Sequence, residues 1–177
     1  DPANIHVQYQ LWGFQNINFA NSMQQMMGSV PNVAGWSAYY QGPAYHQYWI
    51  NAATIQARHN YLTAMMNGVF VSYLGHTFTM KLNPLEYIQQ FGNTVCTNPN
   101  QLVATCIKYL FPIDLSQQQK DVIKMQTLLS QQTNDSYWST AWNNYLVNPN
   151  TTNTNIVTDR AKSLIFTLLQ LSEYQLM

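Results

Sequence analysis

Three segments of this chain open in the same way, Asn83-Pro-Leu-Glu86, Asn98-Pro-Asn-Gln101 and Asn148-Pro-Asn-Thr151. No other feature constrains the fold as much. An Asn side chain accepts a free backbone N–H at a helix start, and Pro at the first helical position loses nothing by lacking its own. Glu86 or Gln101 can reach back as in a capping box, and Ser116-Gln-Gln-Gln119 is a fourth start of that kind. Starts so closely spaced cut the second half into short helices, over about 84–91, 99–110, 117–131, 135–146 and 152–172. In the last of these, Val157, Ala161, Leu164, Ile165, Leu168 and Leu169 follow the spacing of an amphipathic helix, which predicts the central packing helix.

The first half predicts helices over about 12–27 and 51–67, the second carrying Ile55, His59, Leu62 and Met66 down one side. Val69 to Met80 is rich in β-branched and aromatic residues around Gly75, the pattern of a small hairpin. The expectation is a mainly α fold, a compact multi-helix bundle with one small β-hairpin, in a single domain of 177 residues.

Charged residues make up 8% of the chain, against roughly 25% in an average domain, while there are 19 Asn and 19 Gln. Solubility then rests on amides and hydroxyls. The 46% of hydrophobic and 14% of aromatic residues supply the apolar area that disordered chains lack. Seven basic and seven acidic side chains leave no net field for a phosphate backbone, which argues against nucleic acid as a partner. The longest apolar run, 164–171, is interrupted by Thr167 and Gln170 and is too short to span a bilayer. Asp1-Pro2-Ala3-Asn4 has neither a basic nor an apolar character, so an export signal is expected upstream or already removed.

Pro31, Asn32, Gly35 and Trp36 have the composition of a tight turn: Pro presets φ, Gly takes positive φ, and the indole folds inward. Trp36 as the wall of a ligand pocket is the alternative. Trp49, Asn51, Thr54 and Arg58 begin the next helix, where Asn51 or Thr54 can cap it. The fork of Arg58 suits a hub tying loops together, with Asp159, Glu86 or Glu173 as carboxylate partners, or an anion clamp. Between these two motifs Trp36, Tyr39, Tyr40, Tyr45, His46, Tyr48 and Trp49 crowd seven rings into 14 positions, with Gly42 and Pro43 at the tip. Such rings form either a stacking platform for sugar faces or peptide side chains, or a seal over the core.

Catalytic residues are not nominated. His46 and His59 are 13 apart, a spacing that points to no known motif, and no metalloprotease, nucleophile-elbow or phosphate-loop pattern occurs. A glycosidase needs two carboxyls about 5 to 9.5 Å apart; Glu86, Asp114, Asp121, Asp135, Asp159 and Glu173 are present, but none sits in a motif. No metal or cofactor is expected. Cys96, in a loop, and Cys106, in a helix, are close enough in sequence to form a disulfide; two buried free thiols are the other reading.

The segment Pro31-Asn-Val-Ala-Gly-Trp36 followed by Trp49-Ile-Asn-Ala-Ala-Thr-Ile-Gln-Ala-Arg58 resembles the C-terminal part of the bacterial domain-of-unknown-function 1800 family. Members carry a Pro-Asn-Val-x-Gly-Trp turn and then a Trp-Ile-Asn-Thr-x-Thr-x-x-x-Arg helix. Tyr109-Leu-Phe-Pro-Ile-Asp-Leu-Ser116 and Leu168-Leu-Gln-Leu-Ser-Glu-Tyr-Gln-Leu176 extend the resemblance to the end of the chain. The Tyr-rich insert from Ser37 to Tyr48 departs from it, replacing a short Pro-Gly-Gly segment. Members are usually two to three times longer and open on a His-Leu-Leu-x-Arg-x-x-Phe-Gly motif not found here, so the resemblance implies the C-terminal portion of a longer precursor. It also implies export: a secreted, periplasmic or cell-surface protein, an environment that favours the disulfide. The expected function is a binding or assembly module that packs with an N-terminal remainder or another protein, or binds a polysaccharide, rather than an enzyme. The alternative is a hydrolase-like or carbohydrate-active protein whose site is completed outside this chain.

Overall fold

Asn51 shows how helix starts are made in this chain. Its Oδ1 accepts the N–H groups of Ala53 and Thr54, each at 3.0 Å, and its own N–H donates to Thr54 Oγ1 at 2.8 Å. Three backbone donors are thereby satisfied by a reciprocal pair. In the computed structural model, residues 5–26, 50–73 and 75–175 are described, and the chain divides into two compact units, Asp1–Leu82 and Asn83–Met177.

The first unit holds α1 (Ile5–Ser22), α2 (Ala52–Asn67) and a hairpin of β1 (Val69–Tyr73) and β2 (His76–Met80). The strands pair antiparallel, with Val69 opposite Met80 and Tyr73 opposite His76. Helix α1 lies earlier than the expected 12–27. Leu11 and Met80 form a small core to which Val7, Trp12, Val69 and Phe78 are added, while Phe19 meets the edge of Tyr61 at 4.8 Å. Leu62, Met65 and Met66 are the buried apolar residues of α2. Gly68 makes the join from helix to hairpin: its φ is +103°, its N–H donates to Ala64 O at 2.8 Å, and a Cβ there would stand 2.8 Å from Thr79 Cγ2. The exit from the hairpin is pinned by Leu82 N–H donating to Met65 O at 2.9 Å.

The second unit is helical: α3 (Pro84–Gln89), α4 (Asn93–Thr97), α5 (Pro99–Leu110), α6 (Gln117–Thr127), α7 (Ser136–Val147), α8 (Thr151–Gln170) and the single turn α9 (Ser172–Gln175). Helix α8 is central, packing on α3, α5, α6, α7 and α9, and the six apolar residues expected to face the core are its buried set. Asn83, Asn98 and Ser116 cap α3, α5 and α6, and Ser116 with Gln119 completes a capping box. At the third Asn-Pro the cap is Asn150, whose side chain accepts Asn153 N–H at 2.8 Å, so Asn148 and Pro149 belong to the connector. Helix α6 ends at Thr127 rather than 131, because Ser130 and Gln131 adopt positive φ of 47° and 69°.

Helix α4 was not expected. Its N-cap is Gly92, which has no side chain to signal a start, and its φ is +81°. The last carbonyls of α4, those of Cys96 and Thr97, gain no partner from the chain that follows, because the N–H groups of Asn100 and Gln101 donate to Asn98 Oδ1 as the cap of α5. They are taken by α7: Trp138 Nε1–H donates to Cys96 O at 2.6 Å, and Ser139 Oγ–H to Thr97 O at 2.7 Å. Trp138 and Trp142 are fully buried and stacked 5.7 Å apart. Unlike that of Trp138, the indole N–H of Trp142 has no acceptor among the described residues.

The expected Cys96–Cys106 disulfide is not formed. Both are free, buried thiols, Cys96 lying in α4 rather than in a loop and donating its S–H to Ile88 O at 3.0 Å. Burial pushes Cys96 up to about 11; burial and then the neighbouring Cys96 push Cys106 up to about 12. Neither is a thiolate at neutral pH, so neither is a nucleophile there.

A polar clamp joins the starts of α5 and α7 to α6. Lys124, 14% exposed, stands 3.0 Å from Asp135 and 3.5 Å from Asp121, and donates to Asn100 Oδ1 at 2.7 Å, while Asn100 Nδ2 donates to Asp135 at 2.6 Å. Partial burial pushes the Asp135 carboxyl up, but Lys124 and Asn100 outweigh it and hold it below the usual range.

Four measurements test these contacts. Trp138→Phe leaves Cys96 O unsatisfied and is expected to cost about 1–3 kcal/mol more than Trp142→Phe in urea unfolding, since the second change removes ring volume but no hydrogen bond; equal costs would deny the bond its role. The native thiols should resist a thiol reagent at neutral pH and react fully in denaturant. Their raised values favour the fold below the unfolded thiol range of about 8.5, an advantage lost as pH climbs toward 11 and 12, and the alkaline decline should be shallower in Cys106→Ala. The contribution of Asp135 has the opposite sign: it is full above about 3.9 and lost as pH falls through the depressed value. The acid limb of stability against pH should flatten in Asp135→Asn.

Candidate functional site

Helices α7 and α8 are joined by only three residues, 148–150, and lie side by side as a helical hairpin. Tyr137, Thr140, Ala141 and Asn144 share one face of α7 at helical spacing, and Asn153, Ile156 and Arg160 share one face of α8. With Ser136 they line a groove of about 320 Å³. That is at the lower end of small-molecule sites, which run from about 300 to 1,000 Å³.

Arg160 closes one end. Its guanidinium carbon lies 4.2 Å from the centre of the Tyr137 ring, and Nη1 donates to Tyr137 O at 2.9 Å. Ring and carbonyl together fix the plane of the fork. Desolvation lowers the Arg160 pKa, partly offset by Tyr137, so the group remains a cation held half out of water. No acidic residue lines the groove. Of the two acidic residues nearest in sequence, Asp135 is spent on Lys124 and Asn100, and Asp159, the neighbour of Arg160, is exposed and does not line the groove. At the other end Asn153 Nδ2 donates to Asn144 O at 3.3 Å and Asn148 O at 2.9 Å, satisfying carbonyls at the C-terminus of α7. The arrangement can orient an anionic group against the fork and offer amides and hydroxyls to what is attached to it.

A second depression of about 330 Å³ lies between α6 and α8, with Leu115, Val122, Ile123 and Leu171 as its apolar wall and Gln118, Gln119 and Gln126 beside them. In the first unit α1 presents Ile5, Tyr9, Phe14 and Ile17 to solvent, from 42% to 69% exposed, and buries only Leu11. The helix has no Asp, Glu, Lys or Arg.

Ten of the residues singled out in the sequence lie outside the described ones: Pro31, Asn32, Gly35 and Trp36 of the signature, and Tyr39, Tyr40, Tyr45, His46, Tyr48 and Trp49 of the aromatic insert. Asn51 and Thr54 form the cap of α2, Thr54 being buried. Arg58 is half-buried on α2, and His59 is exposed one turn before Thr63, whose Oγ1 lies 3.4 Å from its Nε2. Glu86 accepts from Asn83, and Glu173 from Gln119 and Ser172. No group of three or more His, Cys, Asp or Glu suited to a metal occurs among the described residues. No described helix is long and apolar enough to cross a membrane.

Sequence reasoning passed over Tyr137 and Arg160. A signal was present: Tyr137 lies twelve residues before Pro149 and Arg160 eleven after it, which sets them opposite each other in a hairpin of two helices.

No curated protein and no solved structure matches the chain. The family model described as "Protein of unknown function (DUF1800)" matches residues 7–176. This is nearly the whole chain, and the protein therefore belongs to the DUF1800 family.

Proposed function

We propose that the protein is a non-catalytic binding or assembly module, exported or at the cell surface, that packs against an N-terminal part of its own precursor or another protein. The observation that carries this reading is α1. A solvated helix normally shows one apolar stripe and a charged face. Here Ile5, Tyr9, Phe14 and Ile17 are exposed on a helix without a charged side chain, and only Leu11 is buried. Aromatic and aliphatic residues with no flanking charge have the composition of an interface core.

Native mass spectrometry of the protein isolated from its source tests this. The expected species is heavier than the 20.4 kDa chain, and Tyr9→Lys with Phe14→Lys should release the chain at its own mass while its circular dichroism is preserved. A wild-type chain that travels alone at that mass would sink the reading.

A further inference from the structure

We propose that the groove between α7 and α8 is a binding site for a carboxylate-bearing saccharide, with Arg160 holding the carboxylate and Ser136, Thr140 and Asn144 meeting the sugar hydroxyls. The site is built within the second unit alone and does not depend on what α1 contacts.

The charge comes first. A guanidinium has five N–H donors, and Arg160 spends one of them on Tyr137 O. It is half-buried, with no carboxylate paired to it among the described residues. Removing a cation from water is costly unless a counter-charge replaces the lost hydration. An anion in the groove supplies that charge, and the stacked, pre-oriented fork presents the parallel donors that a carboxylate takes in bidentate fashion. Arg160 is the one cation lining the groove, so a singly charged carboxylate is matched while a phosphate would be only partly neutralised.

The remaining lining decides what carries the carboxylate. Ser136, Thr140 and Asn144 have side chains with no hydrogen bond to the described protein, and they recur at helical spacing from the Arg160 end along α7. Hydroxyl and amide groups in a row, each able to donate and accept, complement a ring bearing several hydroxyls. Ala141 and Ile156 supply the apolar strip against which the C–H face of a sugar can lie, and Tyr137 remains 43% exposed beside it.

Calorimetric titration with trigalacturonate, neutral maltotriose and the tripeptide Gly-Asp-Gly separates the sources of this chemistry. The acidic trisaccharide should bind, and the other two should be at least about tenfold weaker, a difference of about 1.4 kcal/mol. Arg160→Gln should abolish binding, and Arg160→Lys, which keeps the charge but loses the fork, should weaken it by about tenfold. Thermal melts establish that each variant is folded. Should Arg160→Gln fail to fold, Thr140→Val and Asn144→Leu, at exposed positions, carry the test and should each weaken binding severalfold. The proposal is overturned by equal affinity for maltotriose, by equal or better affinity for the peptide, by no heat at about 10 mM acidic trisaccharide, or by unchanged affinity in the folded variants.

Discussion

The second unit depends on two hydrogen bonds that close an otherwise open helix end. Helix α4 has five residues, starts on a glycine without a side-chain cap, and runs into Pro99. A helix so short cannot stand on its own backbone bonds. Trp138 and Ser139 supply the missing donors from the first turn of α7, and the indole that does so is also fully buried and stacked on Trp142. One side chain therefore contributes both apolar area and the polar satisfaction that permits α4 to be buried. Through α7 the arrangement reaches α8, so the groove that holds Arg160 stands on the same support.

How much of this was legible depends on where each signal lies. The stripe from Val157 to Leu169 is a periodic pattern within one element, and its burial follows from the sequence directly. The caps at Asn51, Asn83, Asn98 and Ser116 are equally local, since donor and acceptor stand two or three residues apart. The hairpin at Gly75 follows from β-branched residues on either side of a residue with φ of +79°. Helix α4 escaped because glycine writes no cap. Asn148-Pro149 misled because a better cap, Asn150, competes for the same helix start two residues later.

The groove was less legible for another reason. Its contacts join residues 23 apart, as between Arg160 and Tyr137, and nine apart, as between Asn153 and Asn144. Such pairs become neighbours only once two helices have been laid side by side. Reading the cysteines as a disulfide erred in a related way: sequence separation allowed the bond, whereas packing turned Cys96 toward Ile88 O as a buried donor.

The five side-chain caps on α2, α3, α5, α6 and α8 are all made by Asn or Ser oxygen, none by a carboxylate. An uncharged cap is neither screened by dissolved ions nor protonated in acid, unlike an Asp cap or a charge set against the helix dipole. The boundaries of these helices are therefore set in a manner indifferent to the medium. The same chain can keep its registers in dilute water or brine, and its scarce charges are left to clamps such as Lys124–Asp135 and to the lone fork of Arg160.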